Sequence, residues 1–421
     1  MADTVLTIDD IHAEALAVLE NQLGIASKVY RAYEDEFDKR INGYKIGETL
    51  SIRKPTDYVV REGATAQVQD AKEGKTSITV DKQRGVDFDF TSKDMTLKID
   101  DFRERFIEPA MIQLANHVDV TVMSLYKDVP NWVGTPGEKI DSFDDFYTGI
   151  ERLNEYAVPM DMRTAVLSPA DHAAMLGSQT SLPNVNGAST DAYRRGQLGL
   201  IGDVDTWMSQ NVPTHIGGTR VGGSAQTALV DGAITSSTIT YDDVKDTNVQ
   251  TIHIDTVDPS GGTFKKGDVL TIEGVYAVNP VGKEPLPFLK QFTVTADETF
   301  TGTEGDLVIS PAMIWEGAFK NVDVQGVSDL DGQDVEFVGA ASTGYRQNMI
   351  LHKNAFALVV VPMEKPQGAV NVSRKSYKGI STRMIPVYDG VNDVDFWRLD
   401  LLMGTKAIDP RLATRLSGTG A

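Results

Sequence analysis

The chain has 421 residues, 40 Lys plus Arg against 60 Asp plus Glu for a formal net charge of −20, and no cysteine. That length makes roughly two to three domains with a substantial core. The acidic excess argues against tight nucleic-acid binding or residence on anionic lipid, and the missing thiols exclude disulfides, thiolate nucleophiles and the common structural zinc sites. With 41% hydrophobic and 8% aromatic residues the charge is no sign of disorder.

The first ten residues carry acidic charge and no long apolar core, so no signal peptide is expected. The longest apolar run, Ala355 to Met363, is nine residues, well short of a membrane span. The product is expected to be soluble and intracellular when made. Asp9 to Phe37 places Ile11, Ala15, Leu19 and Leu23, then Ala26, Val29, Tyr30, Tyr33 and Phe37 at helical spacings, with a break at Gly24. From Ile41 to Lys98 the pattern is strand-like and polar, with too few apolar residues to bury itself: either a floppy hairpin or an arm that packs on another subunit. Asp100 and Asp101 suit a first turn, Pro109 suits the start of a longer helix, and Met111, Leu114, Val118, Val122 and Leu125 form its stripe. Asn116 and His117 lie off that stripe. Tyr147 to Tyr156 reads as another helix, and TAVLSPADHAAML as a strand ending at Ser168-Pro169 followed by a helix.

Dividing the charge locates a module. Residues 1–220 hold 35 acids and 23 bases, residues 221–345 hold 19 and 6, and residues 346–421 hold 6 and 11. The middle segment contains no arginine and alternates apolar and polar residues between Gly, Pro and Asp turns, the pattern of an inserted β module in an α+β host. After it, the run around Ala355 to Met363 is a buried strand region, and residues 370–402 form a hairpin about Asp389-Gly390. These late strands must pair with earlier ones, so the host is discontinuous in sequence.

Chemistry is sparse. Gly74-Lys75-Thr76 lacks the first P-loop glycine, since Gln69 stands there. GGTRVGG, Gly217 to Gly223, lacks dinucleotide spacing and reads as a flexible linker. His12, His117, His172, His215, His253 and His352 make no HxxxH or HExxH face, and there is no GxSxG elbow. Asp329, Asp331, Asp334 and Glu336 are candidate metal ligands, but they depart from EF-hand spacing, and an acidic turn is the plainer reading. A hydrolase or calcium-dependent binding protein using His172, His215 or that loop is the alternative from another class. Otherwise no catalytic residue and no cofactor is expected. Candidate subunit-interface residues are Arg53, Lys54, Arg61, Glu62, Arg84, Arg103 and Arg105, with Arg374, Lys375 and Lys378 as the densest basic cluster.

The order of parts resembles the major capsid proteins of tailed phages, of the Hong Kong 97-type fold, and specifically the P twenty-two-type coat proteins with an inserted β-barrel domain. LANHVDVTVM (Leu114 to Met123), AVLSPADHAAM (Ala165 to Met175), FKKGDVLTIEGVYAVN (Phe264 to Asn279) and WRLDLLMGTKAIDPRLATRL (Trp397 to Leu416) carry the likeness, which spans nearly the whole chain. It implies an N-arm over 1–40, an extended β loop over 41–98 and a spine helix and P-domain over 99–160. It further implies a first part of an A-domain over 161–220, the inserted domain over 221–345, and return strands with the tail over 346–421. It implies an icosahedral procapsid, built of hexamers and pentamers in the host bacterial cytoplasm, that expands around DNA without binding it tightly and becomes the virion shell. The partners so implied are copies of itself, a scaffolding protein, a portal protein and a decoration protein; no membrane is involved. Isopeptide cross-linking is not implied, because nothing marks Lys45, Lys54 or Lys75 as reactive. A compartment shell of the same fold is the second structural reading.

Overall fold

The computed structural model describes residues 8–31, 45–54, 64, 74–90, 103–180, 196, 198–220, 228–234, 236, 248–255, 261–317, 319–325, 330–366, 368, 371–389 and 394–420. These fall into two compact units, both discontinuous in sequence. One comprises Met1–Ser51, Ser77–Met123 and Phe356–Lys406; the other comprises Ile52–Thr76, Ser124–Ala355 and Ala407–Ala421.

In the first unit, helix α1 (Ile8–Gln22) buries Ile11, Ala15 and Leu19 on one face, because residues three and four apart share a side of the helix. The helix ends before Gly24, as the sequence predicts, and Ile25–Ser27 form a single 3-10 turn. Helix α2 (Glu108–Met123) buries the predicted Met111, Leu114, Val118 and Val122. Its Asp119, a carboxylate on an otherwise apolar face, accepts the amides of Gly24 at 3.0 Å and Ala26 at 2.9 Å, and so ties the turn after α1 to α2. A five-stranded antiparallel sheet completes the unit: Phe356–Val361, Val394–Ala407, Ile380–Asp389, Ser373–Tyr377 and, on the flank of Val394–Ala407, Lys82–Phe90. Asp389 pairs with Val394, which closes the predicted hairpin.

The placement of Lys82–Phe90 corrects the expectation for the polar stretch. Nine consecutive residues, Lys82 to Phe90, pair with Met403 to Asp395 of the same chain, so this part needs no second subunit to satisfy its backbone. The rest of the stretch contributes Glu48–Lys54 and Gly74–Val80, which form a two-stranded sheet.

The second unit holds two sheets. A six-stranded sheet runs in the order Trp132–Val133, Ala413–Leu416, Asn348–His352, Arg163–Leu167, Val204–Met208, Leu200–Ile201. Helix α3 (Phe143–Glu155) packs Phe146, Ile150 and Leu153 against Ile350 and Leu416 of that sheet. Helix α4 (Pro169–Thr180) follows the buried strand Arg163–Leu167, as SPAD predicts: Ser168 Oγ accepts the Asp171 amide, while Asp171 accepts Asn348 Nδ2 at 2.9 Å.

The arginine-free segment folds as a barrel. Strands Pro285–Val294, Gly305–Ser310, Gln250–Asp255, Ala228–Val230, Asp334–Phe337 and Val269–Val278 pair in that order. Val269–Val278 then pairs back with Pro285–Val294, and Val322–Val324 extends its far half. Closure matters physically, because a ring of strands leaves no row of unpaired edge amides. Ile252, Ile254, Leu270, Ile272, Phe292, Leu307 and Ile309 fill the interior, and their alternation along each strand fixes the register. Among the described residues no helix is long and apolar enough to cross a membrane.

Candidate functional site

Two short glycine-containing phrases meet at the base of the barrel, within the second unit. His215, on the strand Thr214–Ile216, and Arg220 come from the first; Asp268, between the turn at Lys265 and the strand Val269–Val278, comes from the second. The Asp268 side chain is wholly buried and all its acceptor capacity is engaged. Oδ1 accepts His215 Nε2 at 2.9 Å and Arg220 Nη2 at 3.0 Å, while Oδ2 accepts the amides of Gly218 at 3.1 Å and Lys265 at 3.0 Å. Burial by itself would raise the carboxyl pKa, but the His215 hydrogen bond, the Arg220 charge and the amides outweigh it. They hold Asp268 below the ordinary carboxylate range.

The shell around this carboxylate reaches both ends of the unit in sequence. Tyr126 Oη meets His215 Nδ1 at 3.0 Å. Arg220 Nη1 donates to the Gly339 carbonyl at 2.7 Å, and its guanidinium lies over the Phe337 ring. Arg415, fully buried in the strand Ala413–Leu416, donates to the Gly267 carbonyl at 2.8 Å and faces the rings of Tyr126 and Trp132. Burial pulls its pKa down to about 10, so it remains a cation at neutral pH. Gln291 makes a further tie: its side chain accepts the Trp132 amide and donates to the Trp132 carbonyl, both at 2.7 Å. The whole is a polar joint between the barrel and the six-stranded sheet. It fixes orientation more tightly than an apolar contact would, because each buried charge has a single satisfied arrangement.

This joint overturns the linker reading of Gly217 to Gly223. Gly218 is pressed against the strand Gly262–Phe264, where a Cβ would stand 1.9 Å from the Thr263 carbonyl oxygen. Glycine is there for close approach, not for flexibility. Only Val221 to Gly223 lie outside the described residues.

The candidates picked from sequence are placed as follows. His215 is enclosed by Tyr126 and Asp268 with no serine bonded to it, and His172 is buried beside the Ser168–Asp171 cap, where burial lowers its pKa. Asp331 accepts the Gly232 amide at 2.8 Å, and Asp334 and Glu336 flank buried Val335 on the solvent face of their strand; Asp329 lies outside the described residues. Arg84 donates to His117 Nε2 at 2.6 Å, Lys378 pairs with Glu20 at 3.1 Å, and Arg374 donates to the Met363 carbonyl. Arg105 is exposed and Lys375 half-buried. Arg61 and Glu62 lie outside the described residues, as do the side chains of Arg53, Lys54, Lys75 and Arg103; Lys45 faces Glu364 at 3.9 Å. Sequence reasoning missed the joint. Its signal was present in the phrases GGTR and KKGD, two sharp turns each ending in a charged residue next to a β run.

The sequence matches the family described as P22 coat protein - gene protein 5 over residues 6–418. The chain belongs to the P22 coat protein family. Membership of the P22 coat protein family makes it a phage capsid subunit and decides for the viral shell over the compartment shell, and it brings the Hong Kong 97-type α+β fold expected from the order of parts. Among solved structures, a chain of Mycobacterium phage Che8 is similar at 13% identity, covering 95% of this chain and 92% of that one with a TM-score of 0.47. The capsid structure of the cyanophage P-SCSP1u aligns at 10% identity over 91% and 86% of the two chains, with a TM-score of 0.41. A virus-like particle from Pyrococcus furiosus aligns at 7% identity over 96% of each, with a TM-score of 0.35. No curated protein matches the chain.

The phrases shared with the P22 coat protein family now have physical content. LANHVD carries Asp119, which holds the turn after α1. LSPAD carries the Ser168–Asp171 cap, KKGD the Asp268 carboxylate, and the closing phrase Arg415. In the same closing phrase Asp400 is buried between Arg383 at 2.6 Å and Arg398 at 2.8 Å.

Proposed function

We propose that this capsid subunit assembles with copies of itself, as hexamers and pentamers, into an icosahedral procapsid around a scaffolding protein in the host cytoplasm. The procapsid takes in DNA through a portal protein, expands, and receives a decoration protein. The observation that carries this reading is the family match from residue 6 to residue 418, which takes in both compact units and the barrel. The charge supports it: a wall bearing −20 per subunit releases packed DNA instead of holding it. Joining falls to the α1 arm, the polar stretch and basic positions such as Arg105, whose long reach suits contacts that bend between non-equivalent neighbours. The subunit performs no catalysis.

The test is electron microscopy of the full chain expressed with and without a scaffolding protein. Closed shells are expected with the scaffold, and a strict monomer under both conditions overturns the proposal. Reversing charge in R105E is expected to lower the yield of closed shells while leaving the monomer's melting temperature unchanged.

A further inference from the structure

On the outer face of the barrel the strand register builds a second polar group unrelated to the joint. His253 sits between buried Ile252 and Ile254, so its ring points away from the core. On one side its direct cross-strand partner is Asp306. On the other, the Asp231 amide donates to the His253 carbonyl at 3.0 Å, placing Asp231 beside it at the end of Ala228–Val230. Glu304 stands just before Gly305–Ser310. Because the apolar alternation of three strands fixes this row, the grouping is a product of the fold.

The imidazole is used asymmetrically. Nδ1 lies 2.7 Å from Asp306 Oδ1, a full hydrogen bond, whereas Nε2 is 3.6 Å from Asp231 Oδ2, beyond hydrogen-bond length. One ligand atom each from Asp231, His253 and Glu304 lies within 4.8 Å of the others. Asp306 thus occupies the place of the carboxylate that orients a metal-ligating histidine through its far nitrogen. We propose that Asp231, His253 and Glu304 form a site for a divalent transition metal of the zinc class, with Asp306 as the positioning residue on Nδ1 and a water completing the shell.

The donor set selects the metal. An imidazole with two carboxylates suits zinc or cobalt, whereas calcium and magnesium take oxygen alone. Closing the three donors to the roughly 3.4 Å separation of tetrahedral ligands needs only side-chain rotation, since all four residues are at least partly exposed. The field favours a cation: three carboxylates surround one ring, and the Asp306 hydrogen bond in particular raises the His253 pKa. The site differs from the Asp329 to Glu336 loop considered from sequence, because its members come from three strands far apart in the chain.

The experiment uses the full chain, stripped with chelator, titrated with Zn2+ by calorimetry and with Co2+ by visible absorption. One saturable equivalent per chain is expected, with a Co2+ spectrum showing nitrogen ligation. H253Q is expected to abolish that equivalent, E304Q and D231N to weaken it at least tenfold, and D306N to weaken it about 10–100-fold while keeping the stoichiometry. Absence of a saturable equivalent, or one unchanged in both H253Q and E304Q, overturns the proposal. If H253Q does not fold, E304Q decides alone, since Glu304 precedes its strand and is not part of the ladder.

Discussion

Replacing Asp268 by Asn removes one charge from the polar joint and keeps its shape. The carboxylate serves four donors with two oxygens, and an amide has only one acceptor oxygen. In D268N either the His215 and Arg220 side chains or the amides of Gly218 and Lys265 lose their acceptor, and Arg220, only 6% exposed, loses its counter-charge. Removing one member of a buried pair costs about 3–5 kcal/mol. The oxygen retained in the amide sets the expectation at the lower end, about 3 kcal/mol, or roughly a hundredfold in the opening equilibrium. Native-state hydrogen exchange on the full chain reads this directly at the Gly218 and Lys265 amides, and urea denaturation gives the global value. The double variant D268N/R220M is expected to recover part of the loss, because it leaves no lone buried cation. The pH dependence follows from the sign of the shift. Asp268 has a folded pKa below its unfolded value, so its contribution is complete above the unfolded value and fades only as pH falls through the folded one. The parent and D268N should therefore differ by a constant amount between about pH 5 and 8. A difference under about 0.5 kcal/mol, or a double variant no more stable than D268N, refutes the view that this carboxylate holds the barrel to the sheet.

Three further outcomes are expected. D119A leaves the Gly24 and Ala26 amides without their acceptor and should cost about 1–3 kcal/mol, read as faster exchange across residues 11–31 with the barrel strands unaffected. Lys290 is buried beside Tyr156, and burial, with Arg411 and Arg152 nearby, lowers its pKa to about 7 from 10.5. Between those values the unfolded chain binds more protons, so stability should rise with pH from about 7 to 10, and K290M should flatten that rise and melt higher at pH 6. G218A should destabilise by several kcal/mol through its clash with the Thr263 backbone, whereas G177A, in α4 with open space around it, should stabilise by up to about 1 kcal/mol in the same melting assay.

Much of the architecture was legible in the sequence, for reasons that are local. Met111, Leu114, Val118 and Val122 announce α2 because a 3.6-residue period leaves no other face for them. The SPAD phrase announces a strand-to-helix step because Ser168 and Asp171 satisfy the first free amides of α4. The sudden loss of arginine and the period-two alternation marked a β module, since a closed barrel buries every second residue. The polar stretch was harder. Its backbone partner, Val394–Ala407, is more than 300 residues away, and pattern carries no information about which distant strand supplies it.

The candidate sites show the same division more sharply. From composition alone the chain had no cysteine, no metal motif and a net charge of −20, and the order of its phrases pointed to a coat protein. Those are properties of residues taken singly or in short runs. Which glycine is a socket and not a hinge, which aspartate is buried with four donors, and which histidine meets three carboxylates are decided by strands that register against one another from opposite ends of the chain. Tertiary structure alone decides them, because desolvation and hydrogen-bond geometry depend on neighbours in space, and sequence spacing fixes neighbours only within a helix turn or a hairpin.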